Sequence, residues 1–246
     1  MIDAQMKFHY AWLVWSSAFL IPWIGLYCFY PRHRRAMRRT SAFMALFGLT
    51  EPLFVPEYWN PPSLFELARR TGFDIESIVF AFALGGVGAV LYNGLTGREM
   101  GPVDALERRR PRHRAHRIAL LTPFVAFPIL VFLPWNVIYA TIAAMLAGAI
   151  AVWLCRPDLL RKTWVGGLLF LGFYSVFLLG LKWSAPGYVE EVWNLPALSG
   201  VLWYGLPLEE FLFGLSFGLY WAAVYEHFAW LRVTEGSRER IPIERS

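Results

Sequence analysis

The sequence is poor in charged residues. Asp, Glu, Lys and Arg make up 17% of its 246 residues, whereas hydrophobic residues make up 57%. Ordinary soluble domains carry about 25% charged residues and are less apolar. The apolar residues also occur in long runs and not in alternating patterns. This composition argues against an ordinary soluble domain.

Cysteine is rare, and several site motifs are absent. The two cysteines, Cys28 and Cys155, have no zinc-type spacing, so we expect reduced packing residues and no metal site. The segment "GGVG" at 85–88 lies inside an apolar run and does not follow a strand, which argues against a dinucleotide site. The sequence has no Asp-rich magnesium motif of the type DDxxD, which argues against a prenyl-diphosphate transferase.

Seven apolar runs are long enough to cross a membrane as helices, for which about 20 residues are needed. They cover residues 10–30, 41–57, 77–97, 117–135, 137–155, 164–182 and 206–231. The sequence therefore predicts an integral membrane protein of the all-α class. Its expected architecture is a seven-helix transmembrane bundle that forms one domain over residues 1–246.

Basic residues are concentrated in every second loop. The segments 31–39, 98–117, 156–162 and 232–245 hold 19 of the 23 Lys and Arg residues. Cytoplasmic loops carry such an excess, so we predict a multi-pass protein of the cell membrane with its N-terminus outside and its C-terminus in the cytoplasm. We interpret the basic loops as anchors against anionic lipid headgroups, and no nucleic-acid partner is expected.

The chain contains an internal repeat. The segment "EYWNPPSL" at 57–64 returns as "EVWNLPAL" at 191–198, an offset of 134. The segment "DIESIVFAFALGGVGAVLY" at 74–92 overlays "PLEEFLFGLSFGLYWAAVY" at 207–225, an offset of 133. Two aligned blocks with nearly the same offset predict two structurally similar halves.

The repeat divides the chain into two halves and a connection. Helices 1–3 form the first repeat, about 10–97, helices 5–7 form the second, about 137–231, and the linker helix 117–135 joins them. Helices 1 and 5 are predicted to cross the membrane in the same direction. The halves are therefore expected to be parallel repeats about an axis along the membrane normal.

Four acids stand at the start of the equivalent helices 3 and 7: Asp74, Glu76, Glu209 and Glu210. One interpretation is structural, since Pro207 suits a first helical turn and acids there complement the helix dipole. The other is functional, because an ionised acid within a bilayer costs about 2.5–3.5 kcal/mol and usually faces the bundle interior. Apolar residues continue upstream in "LPALSGVLWYGL", which favours the functional interpretation.

We predict that Glu76 and Glu209, which occupy equivalent repeat positions, approach each other across the axis. Two carboxyl groups in a dry site share a proton and titrate as a unit. Such a pair could act in general acid–base catalysis, with one carboxyl group protonated and the other ionised. Glu51 is a further acid within an apolar run, with a weaker indication of function.

Aromatic and amide residues accompany these acids on both sides of the repeat. Helix packing and interfacial tryptophan belts explain any single one of the aromatic residues equally well, but together they fit a long apolar ligand. The residues expected to line its site are Trp59, Asn60, Phe80, Trp193, Asn194, Phe213 and Phe217.

These features resemble the membrane-integral, non-flavin lycopene cyclases, which are often two small subunits in bacteria and fused domains in fungi. The recurring element of that family is a Pro-x-Glu-Glu/Asp motif that heads a helix in each half. The segment "PLEE" at 207–210 matches this motif, and "VWNLPAL" precedes it. In the first half only Glu76 matches, because Asp74 replaces the proline and Ser77 replaces the second acid.

The resemblance implies an enzyme that cyclises the linear ψ end group of a carotenoid to a β-ionone-type ring. Glu209 would be the proton donor or relay and Glu76 its partner, with Glu210 and Asp74 secondary. The reaction changes neither the atoms nor the redox state of the substrate, so no cofactor is expected, and a reduced nicotinamide or flavin in a non-redox role stays open although no binding motif is present. The implied partners are an apolar carotenoid or isoprenoid substrate and the lipid bilayer, and a homo-oligomer or an association with other carotenoid enzymes stays open.

Two other functions of a helical membrane protein are alternatives. A proton-coupled transporter would use the same parallel repeats and membrane acids, but neither half has a Gly- or Pro-broken helix near mid-span. A retinal photoreceptor needs a lysine in the body of its last helix, and the run 206–231 contains none. A third alternative, which keeps the same motifs, is a divergent membrane enzyme that modifies another isoprenoid substrate.

Overall fold

A computed structural model describes residues 8–235 of the chain, and for residue 69 only the backbone. Helices dominate these residues, and the strands are four short pieces. The α-helices are α1 Ala11–Ala18, α2 Leu20–Phe29, α3 Arg34–Ala45, α4 Leu67–Thr71, α5 Ile75–Thr96, α6 Ala105–Arg108, α7 His116–Leu130, α8 Val137–Cys155, α9 Leu160–Ser184, α10 Tyr188–Val192, α11 Leu208–Trp221 and α12 Val224–Ala229. The strands are β1 Glu99–Pro102, β2 Leu202–Trp203, β3 Leu206–Pro207 and β4 Leu231–Thr234, with β1 antiparallel to β4 and β2 antiparallel to β3.

Among the described residues, four helical stretches are long and apolar enough to cross a membrane: Ala11–Phe29, Ile75–Thr96, Val137–Cys155 and Pro157–Ser184. They coincide with four of the seven predicted spans. Together with the apolar composition they make this a helical membrane protein. The basic segment predicted at 232–245 lies mostly outside the described residues.

The other three predicted spans are helical but interrupted. In the run 41–57, α3 gives way to the 3₁₀ segment Leu46–Leu53, which contains Pro52, a residue without a backbone N–H to donate. The run 117–135 forms α7, which contains two prolines and ends at Leu130. The run 206–231 is divided into α11 and α12 at Ala222 and Ala223.

One helix in each predicted half contacts the other helices of that half. In the first half, α5 contacts α3, α2 and α1. In the second half, α11 contacts α9 and α8. The helices α5 and α11 are therefore the central helices of these two parts of the chain.

Gly218 allows α11 to approach α9 closely. A Cβ atom at this position would lie 2.9 Å from Gly167 Cα and 2.8 Å from Phe170 Cβ. Its repeat equivalent, Gly85 of α5, faces α3 in the same manner, where a Cβ would lie 2.8 Å from the Thr40 carbonyl oxygen. Small residues at such positions let membrane helices come into backbone contact.

We expect Gly218→Ala to destabilise the protein by about 1–3 kcal/mol, because the added methyl group overpacks the contact between α11 and α9. Gly172→Ala is the matched control, since a Cβ at this exposed position of α9 meets nothing within 4 Å. Alanine has the higher helix propensity, so the control should unfold at the same temperature or slightly higher. Thermal unfolding in detergent, followed by circular dichroism, compares the two, and a Gly218→Ala variant as stable as the control would contradict the close contact.

Candidate functional site

A cavity of about 360 Å³ lies between the helices of the two halves. Its wall comes from all the long helical segments and from the loops that contain Tyr58, Trp59 and Trp193. Most of the wall is aromatic or aliphatic, and the two acids on it are Glu51 and Glu210. A mostly apolar cavity with a few convergent polar groups is the usual form of a small-molecule site.

Glu210 is the best-connected acid on the cavity. It lies in the first turn of α11 and is 4% exposed. Its Oε1 accepts hydrogen bonds from the hydroxyl of Tyr58 and, at 2.8 Å, from Nε1 of Trp193. Its Oε2 accepts from the hydroxyl of Tyr174 at 2.7 Å. Three donors from three different segments therefore hold this carboxyl group in one orientation.

Two further polar side chains of the cavity wall come from the first half. Ser77 occupies the repeat position of Glu210, and Glu51 comes from the 3₁₀ segment Leu46–Leu53. Both line the cavity. Ser77 Oγ and Glu51 Oε1 are buried and have no hydrogen-bond partner among the described residues. Buried polar atoms without partners are uncommon, and they mark a wall that a ligand or water can satisfy.

Glu76 and Glu209 are placed differently from Glu210. Glu76 is fully buried, and its Oε1 accepts from the backbone N–H of Leu64 at 2.6 Å. Glu209 Oε1 accepts from the hydroxyl of Tyr139 at 2.6 Å and from the backbone N–H of Ser199 at 2.8 Å. Each of these acids thus fastens the preceding loop of its own half to the central helix, which is a structural role that the repeat shares.

The predicted pairing of Glu76 with Glu209 has no hydrogen bond in the part of the chain that the structure describes. Neither residue is among those that line the cavity, and Asp74 is not among them either. Asp74 caps α5 by accepting from the backbone N–H of Ser77 at 2.5 Å, as an aspartate before a helix commonly does. The second carboxylate oxygens of all three acids are buried and unpartnered.

The repeated Trp-Asn segments contact each other in the loops that precede the central helices α5 and α11. Trp59 and Trp193 form an antiparallel β-bridge, and their rings lie 5.5 Å apart between centroids. The N–H of Asn60 donates to the Val192 carbonyl at 2.8 Å, and the N–H of Asn194 donates to the Tyr58 carbonyl at 2.9 Å. These two hydrogen bonds join equivalent repeat positions. The asparagines hold the loops together by these backbone hydrogen bonds and by Asn194 Nδ2, which donates to the Glu57 carbonyl at 3.1 Å, while both tryptophans line the cavity.

The predicted phenylalanines surround the acid. Phe80, Phe213 and Phe217 all line the cavity. The ring of Tyr174, whose hydroxyl binds Glu210, lies 5.7 Å from the ring of Phe213 and 6.5 Å from that of Phe80. Aromatic faces carry partial negative charge, so a wall of this kind stabilises a cation close to the carboxyl group.

Of the three partners of Glu210, sequence reasoning found Trp193 and missed Tyr58 and Tyr174. Tyr58 stands where the second repeat has Val192, and this difference within an otherwise matched block is a signal of a non-structural role. Tyr174 is one of the few polar residues in the run 164–182. A polar side chain inside a membrane span usually faces the bundle interior, which is where Tyr174 lies.

Residues 135–228 match the model of a protein family described as lycopene cyclase. The matched region comprises α8, α9 and α11, and it includes both glutamates of "PLEE" and Trp193. The second half of the chain thus resembles the lycopene cyclase family. This resemblance supports a lycopene cyclase-like role for the protein, as an enzyme of carotenoid cyclisation. No curated protein and no solved structure matches the chain significantly.

Proposed function

We propose that the protein is a lycopene cyclase-like enzyme that converts the linear ψ end group of a carotenoid to a β-ionone-type ring. The observation that carries the proposal is the position of Glu210, which is buried on an aromatic cavity and belongs to the part of the chain that matches the family. A carotenoid is dissolved in the bilayer, so an apolar cavity within a membrane protein is accessible to it without passage through water.

The chemistry requires one proton to enter and one to leave. A carboxylic acid protonates the terminal alkene, the resulting tertiary cation is attacked by an internal double bond, and the ring closes through a new carbon–carbon bond. The cyclic cation then loses a proton from the carbon next to the positive centre. Substrate and product are isomers, and no electron is gained or lost.

Glu210 is the proposed proton donor in place of Glu209. After proton transfer its carboxylate accepts hydrogen bonds from Tyr58, Tyr174 and Trp193, which stabilise the negative charge that the step creates. The tyrosine hydroxyls can also accept, so they remain satisfied when Glu210 is protonated.

Glu51 is the proposed second carboxyl group. It faces the same cavity with an unpartnered oxygen, so its charge can stabilise the carbocation, and its oxygen can take up the proton that the ring loses. Phe80, Phe213 and Phe217 would shield the cation from water, which would otherwise add to it.

The proposal includes the arrangement in the membrane. The helical segments would cross it seven times as two parallel three-helix repeats joined by α7, with the N-terminus outside and the C-terminus in the cytoplasm. Two observations support this arrangement: the contacts of α5 and α11 with the other helices of their halves, and the symmetric hydrogen bonds across Trp59 and Trp193. The cavity would then lie near the repeat axis, open to substrate from the bilayer.

The test is pigment analysis in a bacterium that accumulates lycopene. We expect expression of the chain to convert lycopene to products with one or two β-ionone rings, identified by chromatography, absorption spectrum and mass. The products should have the mass of lycopene, because cyclisation is an isomerisation. Unchanged lycopene in cells that contain the folded protein in their membranes would contradict the proposal, and a proton or solute flux without a new pigment would favour a transporter instead.

A further inference from the structure

Three side chains that can bind a transition metal meet at the end of the bundle that carries the basic loops. His113 ends the 3₁₀ turn Pro111–His113, His116 begins α7, and Cys155 ends α8. All three are buried, and their ligand atoms lie within 4.8 Å of one another. Cys155 was expected to be a reduced packing residue because the two cysteines have no zinc-type spacing, but the fold brings it to two histidines about 40 positions away.

The two sulfur–nitrogen distances at these residues match those of a tetrahedral metal site. Cys155 Sγ lies 3.5 Å from Nδ1 of His113 and 3.5 Å from Nδ1 of His116. Around a tetrahedral zinc ion, with Zn–S and Zn–N bonds of about 2.3 and 2.05 Å, a sulfur and a nitrogen ligand are separated by about 3.6 Å. The thiol alone does not explain two such contacts, because its single hydrogen can be donated to only one of the two nitrogens.

The outer nitrogens of both histidines are already occupied. His116 Nε2 lies 3.0 Å from the carbonyl oxygen of His227, and His113 Nε2 lies 3.3 Å from Oε1 of Glu107. Both oxygens only accept, so each Nε2 carries a proton, and the Nδ1 atom of each ring is the one that lies toward Cys155 and can bind a metal ion. Metal-binding histidines are oriented in this way, with the second ring nitrogen donating to a carbonyl or carboxylate oxygen.

The surroundings keep these ligands in place. The ring of His116 is stacked between His227, 3.9 Å away, and Trp230, 3.7 Å away, between centroids. On the other side of the site, Arg112 donates a hydrogen bond to Oε1 of Glu107, the same oxygen that lies against His113 Nε2. The ligand set is therefore oriented before any ion binds.

We propose that His113, His116 and Cys155 bind one zinc-class divalent ion, with a water molecule in the fourth position. A thiolate with two imidazoles is a ligand set that zinc favours, whereas magnesium and calcium prefer oxygen ligands. The ion would fasten the start of α7, the helix that connects the two halves, to the end of α8. The cavity that contains Glu210 lies elsewhere in the bundle, so this inference does not rest on the proposed cyclase activity.

The test measures metal on the purified full chain. The protein is produced with an affinity tag that contains no histidine, incubated with Zn²⁺ in detergent, and separated from free metal by gel filtration. We expect about one zinc per chain in the wild type. Cys155→Ser and His116→Asn should lose the metal, whereas Cys28→Ser, which changes the other cysteine at an exposed position, should retain it. A wild-type protein without zinc, or a Cys155→Ser variant that keeps it, would overturn the site.

A second measurement covers the case in which the variants do not fold. Cobalt(II) replaces zinc in such sites and is coloured, and a bound thiolate adds a charge-transfer band in the near ultraviolet. The wild type loaded with Co²⁺ should show this band together with the d–d bands of tetrahedral cobalt, and added Zn²⁺ should bleach both. Cobalt that binds without the thiolate band would show that Cys155 is not a ligand, and the proposal would fail without any variant.

Discussion

Glu210→Gln should reduce ring formation by about 100-fold or more in lycopene-accumulating cells, because general-acid catalysis contributes factors of this size. Glutamine has nearly the same shape as glutamate, and its amide oxygen can still accept from one of the donors, Tyr58, Trp193 or Tyr174. Its amide nitrogen, however, cannot donate a proton to an alkene. The variant should therefore remain folded, bind lycopene and accumulate it unchanged.

Glu209→Gln distinguishes the cavity acid from its neighbour. If Glu209 were the donor, as the family resemblance implies, this variant would lose the product and Glu210→Gln would keep it. The opposite result is expected, because Glu209 binds the Ser199 backbone and Tyr139 and does not line the cavity. Glu190→Gln, an exposed position in the same half, controls for expression of a glutamate-to-glutamine variant. Pigment amounts are compared at equal protein levels in the membrane fraction.

The difference between the two adjacent glutamates could not be read from the sequence. Neighbouring residues on a helix point about 100° apart, so only one of them can address the cavity. Which one does so depends on how α11 is rotated between its neighbours. Tyr139 of α8 binds Glu209, and Tyr174 of α9 binds Glu210, so contacts with two other helices fix the rotation. A pattern along one helix contains no information about such contacts.

Uninterrupted helices were the most predictable part of the fold. The apolar run 137–155 coincides with α8, and the run 77–97 differs from α5 by two residues at its start and one at its end. Both lack proline, so run length and helix length agree. In the run 41–57, by contrast, run length and helix length disagree. Its apolar residues predicted where a helical segment lies, but the 3₁₀ geometry around Pro52 depends on the packing of the surrounding residues.

The site was partly predictable for a similar reason. Rare residues in apolar sequence, such as the Trp-Asn pairs and the acids, indicated where polar groups cluster. Their partners were not predictable, because they come from distant segments: Tyr58 and Glu210 are 152 positions apart, and His113 and Cys155 are 42 positions apart. Only folding brings such residues together, and no local pattern in a single sequence indicates that they will be in contact.

Lys162→Met should destabilise the protein by about 3–5 kcal/mol, which is the usual effect of removing one partner from a buried ion pair. The ammonium group of Lys162 is 1% exposed and is hydrogen-bonded to Glu226, to Asn93 Oδ1 at 2.6 Å and to the Ala89 carbonyl at 3.3 Å. It thus joins α9 to α5 and α12. Without it, the carboxylate of Glu226 would remain fully buried and uncompensated.

The neighbouring cation provides the control. Arg161→Met removes a positive charge from an exposed position one residue earlier on α9, so it should leave the unfolding temperature in detergent nearly unchanged. The double variant Lys162→Met with Glu226→Met replaces both charges by apolar groups, and it should recover much of the lost stability, because a buried pair contributes less than the isolated charge costs. If Lys162→Met unfolds at the same temperature as Arg161→Met, the contacts of Lys162 with Glu226, Asn93 and Ala89 do not stabilise the fold as expected. If the double variant is no more stable than the single one, the loss comes from packing around Asn93 and not from the unpaired carboxylate.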